Sequence, residues 1–139
     1  EMARERGVAD DPVIRQRLAW CHSKVQIMKF LGQRTLTQFL AGHHPGPDGA
    51  ISKLYWSEYH LKVTELAVDI LGADAMTLDG RPPSSAFQTD DPGAANTSGS
   101  WGGTFLNARA GTIYAGSSQI QRNIIGEMIL QLPKEPKPQ

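Results

Sequence analysis

Cysteine is almost absent: Cys21 is the only one in 139 residues, which excludes an internal disulfide and a multi-thiolate zinc site. A reducing cytoplasm is the compartment to expect. Charge of one sign is lacking too. Fourteen Lys and Arg balance fourteen Asp and Glu, so no basic field is available to hold nucleic acid or an anionic membrane, and partners have to be recognised by shape and local chemistry. No apolar run approaches the roughly 20 residues that span a bilayer, and the first thirty residues are too charged for a signal peptide. Alternating strand patterns are nearly missing. The sequence also opens on Glu1 without an initiator methionine, which leads us to expect a piece of a longer polypeptide.

What is present is helical periodicity. Asp11-Pro12 can serve as cap and first turn, and Ile14, Leu18, Cys21, Val25, Met28 and Leu31 follow at alternating spacings of four and three. These predict one long helix from about Pro12 to Ala41, stopped by Gly42 and the Pro/Gly run through Gly49. A second helix runs from about Ala50 to Leu71. It carries two apolar faces, Trp56, Tyr59, Val63, Leu66 and Ile70 on one and Ile51, Leu54, Leu61 and Val68 on the other, as a central bundle member needing partners on both sides does. Gly72 closes it. From about Asp79 to Gly103 the composition turns to Pro, Ser, Gly, Asp and Thr, the signature of a flexible loop. Helix returns near Thr104 and breaks at Ala115-Gly116. Ser118 with Gln121 reads as a capping box opening a last helix, Gln119 to about Leu130, before a polar tail over 133–139. The fold class is therefore all-α, an up-and-down helical bundle forming a single domain, 1–139, with two long helices and two short ones. A self-sufficient bundle of four would need another long helix.

The most specific segment is Ile113-Tyr-Ala-Gly-Ser-Ser-Gln-Ile-Gln-Arg122. A glycine break followed by a new helix, with Ser117 and Ser118 beside it, suits a phosphate or another polar ligand group, and equally suits a plain capped helix start. The segment closely resembles the C-terminal signature of acyl-CoA dehydrogenases, usually written I-Y-E-G-T-S-Q-I-Q-R. Ala67-Val-Asp-Ile-Leu-Gly72 is similar to the family's A-V-Q-I-L-G-G block, and Leu132-Pro-Lys-Glu-Pro136 extends the likeness to the tail.

The resemblance implies most of a C-terminal four-helix-bundle domain, without the family's N-terminal helical domain, its middle β-domain or the first long helix of the bundle. It implies FAD as cofactor, an acyl-CoA thioester as substrate, and an α,β double bond formed as hydride passes to the flavin. It also implies a homo- or hetero-oligomer, a dimer or tetramer, with no nucleic acid or membrane partner. By resemblance the cofactor-binding residues are Gly116, Ser117, Ser118 and Gln119, together with Asp69, Ile70, Leu71, Gly72 and Ala73, the second block meeting the flavin of a neighbouring subunit. Asp69 stands where Gln is usual and brings a negative charge toward a phosphate-bearing cofactor; Ala73 replaces a second Gly. The family's usual catalytic Glu falls on Ala115, whose methyl group accepts no proton, so no catalytic residue is assigned in this chain. Two explanations stand open: a base on the first helix of the same domain, upstream of Glu1, or a catalytically silent subunit that works with an active partner. A third reading, an independent helical interaction module, leaves the signature to coincidence. The piece alone is expected to be inactive.

Other residues read plainly. His43 and His44 lack a matched carboxylate or thiolate, so no metal is expected. Cys21 sits on an apolar stripe as a small buried hydrophobe. Trp20, Trp56 and Tyr59 suit packing between helices. His22 and His60 have no partner at a telling spacing, and Arg4-Glu5-Arg6 is read as solvated.

Overall fold

A computed structural model describes residues 1–43, 46–77 and 98–134. Every regular element among these residues is helical, with no strand among them. The elements are α1 (Met2–Glu5), α2 (Pro12–Leu40), α3 (Asp48–Leu71), a 3-10 turn (Gly72–Met76), α4 (Ser98–Gly111), α5 (Ser118–Ile124) and a π turn (Ile125–Ile129).

The start of α2 follows from its cap: the Asp11 carboxylate accepts from the Val13 and Ile14 amides at 2.8 and 3.0 Å, with Pro12 in the first turn. Such a cap contributes about 1 kcal/mol. Its last residue is Leu40, one short of the expected end, and Gly42 follows at φ +82°. The second long helix, α3, begins at Asp48, two residues earlier than the apolar pattern indicates. It is the central element, in contact with α2, α4 and α5. Leu66 and Ile70 of its first apolar face are buried and Trp56 is exposed, while Ile51, Leu54, Leu61 and Val68 of the second are only partly buried.

Two expectations are corrected. The loop drawn from Asp79 to Gly103 ends sooner, because α4 starts at Ser98; residues 79–97 lie outside the described residues. Three glycines argue against helix in Ser98–Gly103 on propensity alone. Burial outweighs it: Gly102, Thr104 and Ala108 are buried small residues spaced along α4, and α3 presents Ser57, Thr64 and Ala67, each at most 3% exposed. Small side chains on both surfaces let the two backbones approach closely. The second correction concerns the start of the chain. Met2 and Ala3 of α1 are buried with Cys21, Leu66, Ala67, Ile70 and Leu71 in the hydrophobic core, and Arg6 pairs with Asp74 instead of standing free in solvent.

Among the described residues, no helix is long and apolar enough to cross a membrane, and no three His, Cys, Asp or Glu side chains gather as a metal site would need. His43 is exposed; His44 lies outside the described residues.

Candidate functional site

The turn Ala115–Ser118 is built from two successive residues in the left-handed region, Ala115 at φ +53° and Gly116 at φ +88°. For alanine this conformation costs about 1–2 kcal/mol, so the surroundings must hold it. Three hydrogen bonds do. Lys53 Nζ, reaching across from α3, donates to the Gly116 carbonyl at 2.6 Å, and Gln121 Nε2 donates to the Ala115 carbonyl at 2.9 Å and to that of Gly116 at 3.5 Å. Glycine is required at 116 for a second reason: a Cβ there would lie 2.6 Å from Gln121 Nε2.

The cap of α5 also differs from the expected capping box. Ser117, not Ser118, is the N-cap, its hydroxyl accepting from the Ile120 amide at 3.3 Å. The positive φ at Gly116 turns the chain into the helix one residue early, and Gln121 then reaches back to the turn carbonyls. The Ser118 amide is held by the Thr112 carbonyl at 3.0 Å. Its hydroxyl is buried and finds no hydrogen-bond partner among the described residues. A buried orphan hydroxyl costs about 1–3 kcal/mol, and this cost is relieved when a polar ligand group meets it.

Ser118 lines a cleft of about 360 Å³ together with Trp20 and Lys24 of α2, Tyr55 and Tyr59 of α3, and Thr112. The Tyr55 hydroxyl is a second orphan in the same cleft. Trp20 and Tyr59 stack with centroids 6.3 Å apart, and Lys24 Nζ lies over the Trp20 and Tyr55 rings at 5.3 and 4.7 Å. Burial pushes the Tyr59 phenol upward, with a smaller contribution from the neighbouring Cys21. The Cys21 thiol is likewise raised by burial, with Arg17 acting weakly against it, as suits a packed side chain and not a nucleophile. His60 stacks on Trp56 at 5.3 Å, a partner that sequence spacing did not indicate, and burial holds its imidazole below the usual value.

The second block lies at the other end of α3. Ile70 and Leu71 are 6% and 4% exposed, so their side chains belong to the core, leaving Asp69, Gly72 and Ala73 as the exposed members. Asp69 is not a bare charge: Arg17 Nη1 donates to its carboxylate at 2.6 Å. Of the first block, Gln119 is exposed, Ser117 is engaged as the cap, and Ser118 is the buried orphan. The two blocks are not brought together. Lys53, which touches the turn, is sixteen residues from Asp69, a helical rise of about 24 Å.

A helical domain with a glycine-broken turn of this kind defines a recognisable class. Residues 2–130 match the family model of the acyl-CoA dehydrogenase C-terminal domain, and the chain belongs to the acyl-CoA dehydrogenase family. Among its relatives is acyl-CoA dehydrogenase IpdE1 of Mycobacterium tuberculosis, 38% identical over 137 residues, which are 99% of this chain and 31% of the relative. The protein of the same name from Mycolicibacterium smegmatis is 36% identical over 99% of this chain and 30% of its own length. The chain thus spans about a third of the curated relatives it matches. The solved Tcur3481-Tcur3483 steroid ACAD superposes with a TM-score of 0.74 at 25% identity, over 96% of this chain and 32% of that one. The ChsE4-ChsE5 complex from M. tuberculosis shares the fold, with a TM-score of 0.66 at 23% identity over 91% of this chain and 29% of that one.

The residues of the turn fit a flavin contact, on the strength of the orphaned Ser118 hydroxyl. No sequence signal pointed to Lys53, and Gln121, read from the sequence as half of a capping box, instead donates to the turn's carbonyls. Gln121 sits inside the signature, but Lys53 lies 63 positions before the carbonyl it holds, and no periodicity signals such a pairing.

Proposed function

We propose that this chain is the FAD-contacting and oligomerisation domain of a longer acyl-CoA dehydrogenase, which forms an α,β double bond in an acyl-CoA thioester in the cytoplasm. The observation that carries the reading is the buried Ser118 hydroxyl, without a partner, in the turn that bears the family signature. When bound, FAD would supply the hydride acceptor. Gly116, Ser117, Ser118 and Gln119 would hold it through the turn's amides and the Ser118 hydroxyl, with Asp69, Gly72 and Ala73 offering a second contact from the far end of α3. Ile70 and Leu71 support that contact from the core. Ala115 has no proton-accepting group, so the α-proton goes to a base outside this chain and the domain alone is inactive.

A second reading is favoured by Ala115 together with the two-component names of the solved neighbours: a catalytically silent subunit that completes the site of an active partner in a hetero-oligomer. The name of the first neighbour suggests an acyl group derived from a steroid as the substrate class. The test is to purify the longer polypeptide alone and with its partner subunit, and to add acyl-CoA thioesters. Bleaching of the flavin by the longer polypeptide alone supports an active subunit. Bleaching only in the paired preparation supports the silent one, and persistent yellow colour with every thioester in both sinks the catalytic proposal.

A further inference from the structure

The Ala115–Ser118 turn is held in a geometry that its own sequence does not favour. One of its two left-handed residues is alanine, and the carbonyls of both residues are met by side-chain donors from outside the turn. Three hydrogen bonds from two donors meet them, and Lys53 is the charged donor of the two. Lys53 is partly buried on α3 and makes its 2.6 Å bond to the Gly116 carbonyl in a setting where charge-assisted hydrogen bonds are short and strong. The other charged residues of the same helix are each engaged elsewhere: Asp48 with Arg34, Glu58 with Arg122, Lys62 with Glu65, Glu65 also with Arg109, and Asp69 with Arg17. No carboxylate competes for the Lys53 ammonium among the described residues.

We propose that Lys53 is a positioning residue: it fixes the Gly116 carbonyl, and with Gln121 locks the turn so that the Ser118 hydroxyl and the neighbouring amides are presented in one orientation to the cofactor. The inference rests on the flavin reading given above, and it adds to it a residue outside both signature blocks. Removal of Lys53 frees a strained turn to relax. The first group to report it is the Ser118 amide, whose bond to Thr112 closes the turn.

The test compares Lys53→Met, Lys53→Arg and, as an exposed control on α2, Lys29→Met. Amide hydrogen exchange over residues 113–121 is read by mass spectrometry on the 139-residue chain, and the flavin content and visible flavin spectrum are read on the longer polypeptide. Loss of one charge-assisted bond should speed exchange in Lys53→Met by about tenfold or more. Lys53→Arg should restore it, and Lys29→Met should leave it unchanged. The flavin band of Lys53→Met should shift or its flavin content fall, again with rescue by arginine. If Lys53→Met does not fold, Lys53→Gln, which keeps a shorter neutral donor, is read in the same way. Unchanged exchange in a folded variant overturns the proposal. Faster exchange with an unaltered flavin spectrum and content also overturns it, since Lys53 would then be merely structural. A wild-type polypeptide that carries no flavin fails the underlying reading first, and is seen before any variant is made.

Discussion

Arg17 and Asp69 meet at 2.6 Å across the seam between α2 and α3, so the residue that replaces the family's usual glutamine comes with its own counter-charge. This pairing removes the electrostatic objection to a carboxylate near a phosphate-bearing cofactor. Both side chains are substantially exposed, 35% and 54%, so the pair itself should be worth less than about 1 kcal/mol. Arg17→Ala is therefore expected to shift the urea midpoint only slightly. In the longer polypeptide it should lower flavin retention, and Asp69→Gln added to it should restore retention. Equal retention in all three proteins would mean that the end of α3 does not meet the cofactor.

The turn predicts two changes of opposite sign at adjacent positions. Gly116→Ala places a methyl group 2.6 Å from Gln121 Nε2 at φ +88°, and should destabilise by about 1–3 kcal/mol. Ala115→Gly relieves left-handed strain while adding freedom to the unfolded chain, and should stabilise by up to about 1 kcal/mol. Denaturation midpoints check both, and loss of stability in Ala115→Gly would contradict the account of the strain.

His60 should make the domain sensitive to acid. Burial lowers its imidazole below 6.5, so the folded state favours the neutral ring. Between the folded value and 6.5 the unfolded chain binds more protons, so this contribution is complete above 6.5 and is lost as pH falls through the folded value. His60→Gln should flatten the fall in Tm between about pH 7.5 and about pH 5. An identical fall in both proteins would remove His60 from the explanation.

Apart from a partner, the domain should self-associate. Phe30, Leu36, Phe39 and Leu40 of α2 are 57–76% exposed, and Leu106 and Ile113 are 67% and 70% exposed. Apolar patches of this kind seldom remain wet. Light scattering should show oligomers whose size grows with concentration, and a strict monomer at every concentration would refute the expectation.

The long helices were legible because their signals are local: the Asp11-Pro12 cap, the four-and-three spacing from Ile14, and the glycines at 42 and 72 all sit within the elements they bound. Ser98–Gly103 was illegible because its helix depends on burial against α3, which outweighs three glycines only after the chain has folded. Met2 and Ala3 were missed for a similar reason, since two small or flexible apolar residues among charges carry no period. The site followed the same division. Gly116 to Gln119 could be read from the signature, whereas the roles of Ser117 and Ser118 depend on which one caps the helix. That is set by the positive φ at Gly116.

Because Lys53 and Asp69 belong to the same uninterrupted helix, α3 acts as a ruler with a fixed phase as well as a fixed length. Deleting one residue between them would shorten the interval by only about 1.5 Å but would turn its two ends by about 100° relative to each other. Within that stretch of α3, each added or lost residue would swing one contact out of register with the other.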